Sequence, residues 1–149
     1  MNADARLPID SSLFFKLVRV VNLTARPFIE TLARRHRLSL NEWRSMVVLA
    51  SHGEAAASDI AEHTGLDKMS VSRAVAALQR HGRLLRRPDP ADARRTLLRL
   101  SAPGRRLFEE IGRSATEREG QLFGRLGAAE LAQLDATMDR LIEALGEAD

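Results

Sequence analysis

Apolar residues recur at steps of three, four and seven from about Asp10 to Arg37: Leu13, Phe14, Leu17, Val18, Val21, Phe28 and Leu32. That is the period of an amphipathic helix, with Asp10 and Ser11 as expected N-caps. Pro27 lies inside the pattern. It lacks an N–H and crowds the carbonyl four residues back, near Leu23, so a kink or a junction of two helices is expected there. Ser39-Leu40-Asn41-Glu42 has the spacing of a capping box and opens a second helix to about Ser51, with Trp43, Met46, Val47 and Leu49 inward. His52-Gly53 closes it. Ala55-Ala56-Ala57 suits a brief extended segment, and Ser58 is the expected cap of a short helix over Asp59 to His63, with Ile60 and Ala61 inward. Thr64-Gly65-Leu66 forms a turn. The next helix, about Lys68 to His81, turns Val71, Ala74, Val75 and Leu78 to one side and Lys68, Ser70, Ser72, Arg73, Ala77 and Arg80 to the other. Gly82 stops it.

Leu84 to Arg87 and Thr96 to Leu100 read as short strands, and Pro88-Asp89-Pro90-Ala91-Asp92 between them is turn chemistry that no helix tolerates. A long helix follows from Pro103 to about Arg125, with Ala102-Pro103-Gly104 in its first turn and Leu107, Phe108, Ile111, Ala115, Leu122 and Phe123 inside. The last helix, about Ala128 to Leu145, carries Leu131, Leu134, Met138, Leu141, Ile142 and Leu145 at nearly heptad spacing. The chain therefore reads α-α-β-α-α-β-β-α-α, mainly α with a small β-hairpin. Helix, tight turn and helix with small outward residues is a helix-turn-helix, and a hairpin placed directly after it is a wing. The end helices are too long to bury their stripes against so small a head, which makes a second copy their natural cover. The expected organisation is one intertwined unit: residues 38–102 as a winged helix-turn-helix DNA-binding domain, 1–37 and 103–149 as dimerisation helices.

Charge sharpens this. Lys68 to Arg106 holds eleven Lys and Arg against two Asp, +9 in 39 residues, on a chain whose total is +3, so the remainder carries −6. Such asymmetry is a footprint for a polyanion such as double-stranded DNA. There is no cysteine, which excludes disulfides, zinc–thiolate sites and thiol redox sensing. The first residues lack an apolar signal core, and no apolar run approaches the roughly 20 residues of a membrane span, so a cytoplasmic protein without membrane contact is expected. No G-x-S-x-G, P-loop or H-E-x-x-H occurs, so an enzyme is not expected. His36, His52, His63 and His81 lie on different elements without an i, i+4 pair. A metal site would need folding to assemble it, and neither metal nor cofactor is expected.

Leu78-Gln79-Arg80-His81-Gly82, then Arg86-Arg87-Pro88-Asp89-Pro90-Ala91-Asp92-Ala93-Arg94-Arg95, then Leu100-Ser101-Ala102-Pro103-Gly104-Arg105 resemble the core of the MarR family of bacterial transcriptional regulators. The likeness extends loosely to Leu38-Ser39-Leu40-Asn41-Glu42-Trp43. It implies a homodimeric winged helix-turn-helix protein on a pseudo-palindromic operator, usually a repressor, released by a small phenolic or anionic ligand. By position, Asp92 and Arg94 match the family's acidic–arginine pair at the wing tip, and Lys68, Ser70, Ser72 and Arg73 match the outer face of the recognition helix. The family's oxidation sensors use a cysteine near the start of the first helix; this chain has none.

The chemistry of these residues suits the task. An arginine on a hairpin tip can enter the narrow minor groove, and a carboxylate two residues away can hold its fork. Arginine to guanine is the commonest specific contact in the major groove. Arg95 joins the wing contacts, and Arg80, Arg83, Arg86, Arg87 and Arg99 are assigned to phosphates or to solubility. The plainer alternatives are an exposed Asp92–Arg94 ion pair worth ~0–1 kcal/mol, a Ser70 that only completes an Asp67 cap, and a solvated Arg73. Trp43 is either a core anchor or, with Phe14 or Phe15, a wall of an effector pocket. The rival function is a winged-helix module that coats DNA without sequence preference or binds protein.

Overall fold

The first helix begins at neither expected cap. In the computed structural model, which describes residues 9–146, the Ser12 side chain accepts the Phe15 N–H at 3.4 Å and α1 spans Leu13–Pro27. A wide π-helical turn, Phe28–Leu32, follows the proline, and α2 spans Ala33–His36. The N–H groups of Ala33 and Leu38 bond to carbonyls five residues back, those of Phe28 and Ala33. Pro27 thus loosens the helical ladder into a π-turn rather than parting it into separate rods. Arg37 closes α2 in the left-handed region at φ 49.

The capping box opens α3, Leu40–His52: Ser39 Oγ accepts the Glu42 N–H at 3.1 Å, and Glu42 Oε2 accepts the Ser39 N–H at 2.8 Å. Met46 and Leu49 are buried as expected, but Val47 is exposed and Val48 is buried in its place. Glu42, Ser45, Met46 and Leu49 fix the inner face, and Val47 falls nearly opposite it on the helical wheel. The next helix, α4 (Ala57–Thr64), starts before Ser58; the Asp59 carboxylate reaches back to the Ala56 N–H at 2.8 Å and does the capping. Gly65, at φ 71, makes the turn into α5, Lys68–Arg80.

Strands β1 (Leu84–Pro88) and β2 (Thr96–Leu100) pair antiparallel, Leu84 opposite Leu100 and Arg86 opposite Leu98. The extended segment expected at 55–57 shrinks to a single bridge, Ala55 against Leu98, with bonds of 3.0 and 2.9 Å in the two directions. Helix α5 packs on α3 and α4, and Leu38, Met46, Leu49, Ile60, Val71 and Leu78 form the fully buried centre. The result is a mainly α fold with a hairpin wing, a winged helix-turn-helix.

Ser101 starts α6 (Ala102–Phe123): its hydroxyl donates to the Gly82 carbonyl at 2.6 Å and accepts the Gly104 N–H at 3.1 Å. The chain divides into two compact units between Phe108 and Glu109, inside this helix. In the first unit, Leu13, Phe14, Leu17, Val18 and Val21 of α1 are exposed. In the second, α7 (Ala128–Gly146) leaves Leu131, Leu141, Ile142 and Leu145 exposed; so is Leu122 of α6, expected inside. Among the described residues no helix is long and apolar enough to cross a membrane.

Candidate nucleic-acid interface

Helix α5 is held at its start by Asp67. One carboxylate oxygen accepts the Ser70 N–H at 2.8 Å and the other accepts the Ser70 hydroxyl at 2.6 Å. The Ser70 hydroxyl first, and its N–H second, hold the Asp67 carboxyl below the usual carboxylate range. Lowered pKa means the cap's contribution is present above the ordinary carboxylate value and lost as pH falls through the folded one. Melting temperature should therefore be insensitive to this group near neutrality and fall below about pH 4, and Asp67→Ala should shrink that acid-dependent fall in a circular-dichroism series.

With Val71, Ala74, Val75 and Leu78 buried, the opposite side of α5 presents Lys68, Ser72, Arg73 and Arg80 to solvent. Ser70 is half-buried and spends its proton on Asp67. Arg73 touches the Met69 carbonyl only through Nε, at 3.4 Å, which leaves its terminal nitrogens to reach outward. An open depression of about 310 Å³ runs beside it, lined by Ser39, Asn41, Glu42, Ser70, Arg73 and Ala74.

The wing tip is shaped by its aspartates. Asp89 Oδ1 accepts the Ala91 N–H at 2.9 Å and Asp92 Oδ1 accepts the Arg94 N–H at 3.0 Å. Asp92 thus fixes the backbone beneath Arg94 rather than gripping its guanidinium, and the Arg94 side chain is exposed at the tip. Arg86 is exposed on β1. Its neighbours are engaged within the protein. Arg95 turns back to Asp59 Oδ2 at 2.7 Å and Asp89 Oδ2 at 3.6 Å, and Arg87 grips both carboxylate oxygens of Glu54 at 2.6 and 2.7 Å. That grip lowers the Glu54 carboxyl and raises the Arg87 guanidinium. Arg83, expected to serve phosphates or solubility, donates to the main-chain carbonyls of His36 and, at 2.9 Å, Arg37. These three arginines pin the wing and its root to the helices. Arg95→Ala should change unfolding free energy by no more than about 1 kcal/mol, since its partners are partly solvated; urea titration measures it.

A helix with an exposed basic face and a wing directly after it is the arrangement of a winged helix-turn-helix head. The MarR-family model matches residues 38–96, from the second helix to the start of β2. Over those residues the chain is similar to the MarR family. The chain is 29% identical over 107 residues to the HTH-type transcriptional regulator FarR of Neisseria gonorrhoeae, a match covering 70% of this chain and 73% of FarR. It is similar to a MarR/EmrR family transcriptional regulator from Acinetobacter sp. ADP1, with 26% identity, TM-score 0.84 and coverage of 95% and 99% of the two chains. NadR, solved in complex with 4-hydroxyphenylacetate, shares the fold at 23% identity, TM-score 0.78, over 95% of this chain and 98% of NadR. The relatives matched are transcriptional regulators by name.

The aromatic residues of the first unit separate into two groups. Trp43 lies between Phe28, 6.2 Å away, and Phe108, stacked at 5.1 Å and 21°. Phe14 and Phe15 meet each other edge to face at 6.0 Å on α1. Folding brings Trp43 to Phe28 and Phe108, a grouping the sequence offered no signal for beyond three scattered aromatics. Among the described residues no three His, Cys, Asp or Glu side chains come together to hold a metal.

Proposed function

We propose that the chain is a ligand-responsive repressor that binds a pseudo-palindromic operator as a homodimer. Helix α5 enters the major groove with Lys68, Ser70, Ser72, Arg73 and Arg80, and the wing lays Arg94 into the adjacent minor groove with Arg86 on phosphates. Asp92 sets the tip's backbone, and Arg95 acts by holding the wing against Asp59. The observation that carries this reading is the division among the arginines: Arg73 and Arg94 project free on the helix and the tip, while Arg83, Arg87 and Arg95 are bound inside the protein.

Residues 1–37 and 103–149 supply the dimerisation helices around the 38–102 head; residues 1–8 and 147–149 of these lie outside the described residues. Exposed stripes on α1 and on α7 support the pairing, because contiguous apolar surface of that kind marks an interface. A small phenolic or anionic effector, of the kind NadR binds, is the proposed signal, with Trp43, Phe14 and Phe15 as its candidate contacts. Titration of the purified chain against its own upstream DNA and a scrambled competitor tests the reading. An operator binder prefers the former by on the order of 10³ or more. Equal affinity would instead leave a sequence-independent coat of DNA, and a monomer at micromolar concentration would remove the two-headed arrangement.

A further inference from the structure

Folding joins two of the four histidines. His52, the last residue of α3, and His63, in the last turn of α4, stand with ring centroids 4.5 Å apart and planes 33° from parallel. His52 Nδ1 lies 3.1 Å from the Val48 carbonyl oxygen. A carbonyl can only accept, so in the neutral ring Nδ1 carries the proton and Nε2 keeps the lone pair. This is the arrangement of a metal-ligating imidazole, whose far nitrogen donates to a carbonyl that fixes tautomer and orientation. His63 offers its ring beside it, and both side chains face solvent.

We propose that His52 and His63 form a two-imidazole site for a divalent transition-metal ion of the zinc class, with water in the remaining positions. Zinc–nitrogen bonds of about 2.0–2.1 Å at tetrahedral angles place two ligating nitrogens about 3.3 Å apart. The rings stand adjacent and exposed, and binding requires their lone-pair nitrogens to converge to that spacing. Imidazole nitrogen selects zinc, nickel or copper over magnesium and calcium. Both rings also sit at helix C-termini, whose unpaired carbonyls favour a cation. The nearby Glu54 is committed to Arg87, which leaves the two imidazoles as the protein's ligand set. A bound ion would tie the end of α3 to the end of α4, the two helices beneath the recognition helix.

Calorimetric titration of the full chain, free of any histidine tag, with zinc chloride alone provides the test. Wild type is expected to take up one zinc per chain, and magnesium none. Outer partners of a ligand are worth about 10–100-fold in metal affinity, so losing the ligand itself in His52→Gln or His63→Gln should weaken binding at least tenfold. His81→Gln should not. Zinc should raise the melting temperature of wild type and of His81→Gln, and leave that of His63→Gln unmoved. A ring stack without metal function would show variants with altered melting but no zinc dependence in wild type; that result overturns the proposal. So does undiminished zinc uptake by His63→Gln.

Discussion

Gly104→Ala is expected to destabilise the folded chain by about 3 kcal/mol, at the upper end of what overpacking costs. A Cβ at this position would stand 2.0 Å from the Arg83 carbonyl oxygen and 2.9 Å from its carbonyl carbon. Neither atom can yield cheaply. The Arg83 oxygen accepts the Ser101 N–H at 3.0 Å, and the Arg83 N–H is bonded to the Leu78 carbonyl at 2.8 Å. Gly112, in the same helix, supplies the control, because a Cβ there meets nothing within 4 Å. Gly112→Ala should be neutral or stabilising by up to about 1 kcal/mol, through helix propensity. Urea unfolding of both variants gives the comparison. Equal stabilities would mean the approach of α6 to the root of the wing is not the tight contact described.

Arg94→Ala and Arg73→Ala are each expected to weaken operator binding by about 1–3 kcal/mol, roughly 5- to 150-fold in Kd, with melting temperature unchanged. The two differ in what they spoil. In the proposed complex Arg73 faces base edges from α5, so its loss should flatten discrimination between operator and mutated sites. Arg94, placed in the minor groove by the same proposal, would read groove width and potential, so its loss should weaken binding most on A·T-rich flanks and reduce the salt dependence. Fluorescence anisotropy across a salt series separates them. An Arg94→Ala protein that binds as wild type does would take the tip out of the interface.

Much of this fold was legible in the chain. The 3.6-residue period placed every long helix, Ser39 to Glu42 announced the second one's start, and Pro88 to Asp92 fixed the hairpin. Faces were harder. Val47 looked inward and is not, because apolar character alone cannot choose between neighbours on a wheel that Glu42, Ser45, Met46 and Leu49 already orient. The fate of individual arginines was not legible at all. Arg87 meets Glu54 across 33 residues, Arg95 meets Asp59 across 36 and Arg83 meets Arg37 across 46. Composition counts all of them as positive charge for DNA, and only folding shows which are already spoken for. The same holds for His52 and His63, which no local spacing links.

Arg83 has a mechanical corollary. Through its guanidinium it holds the end of α2; through its N–H, the last turn of α5; through its carbonyl, the residue that launches α6; and β1 begins directly after it. Four element ends are geared to one residue, so a slide or tilt at the tail of the N-terminal helices cannot be absorbed as slack. A shift there would have to carry the end of α5 and the wing's base with it, or break these bonds, as a crank turns two shafts.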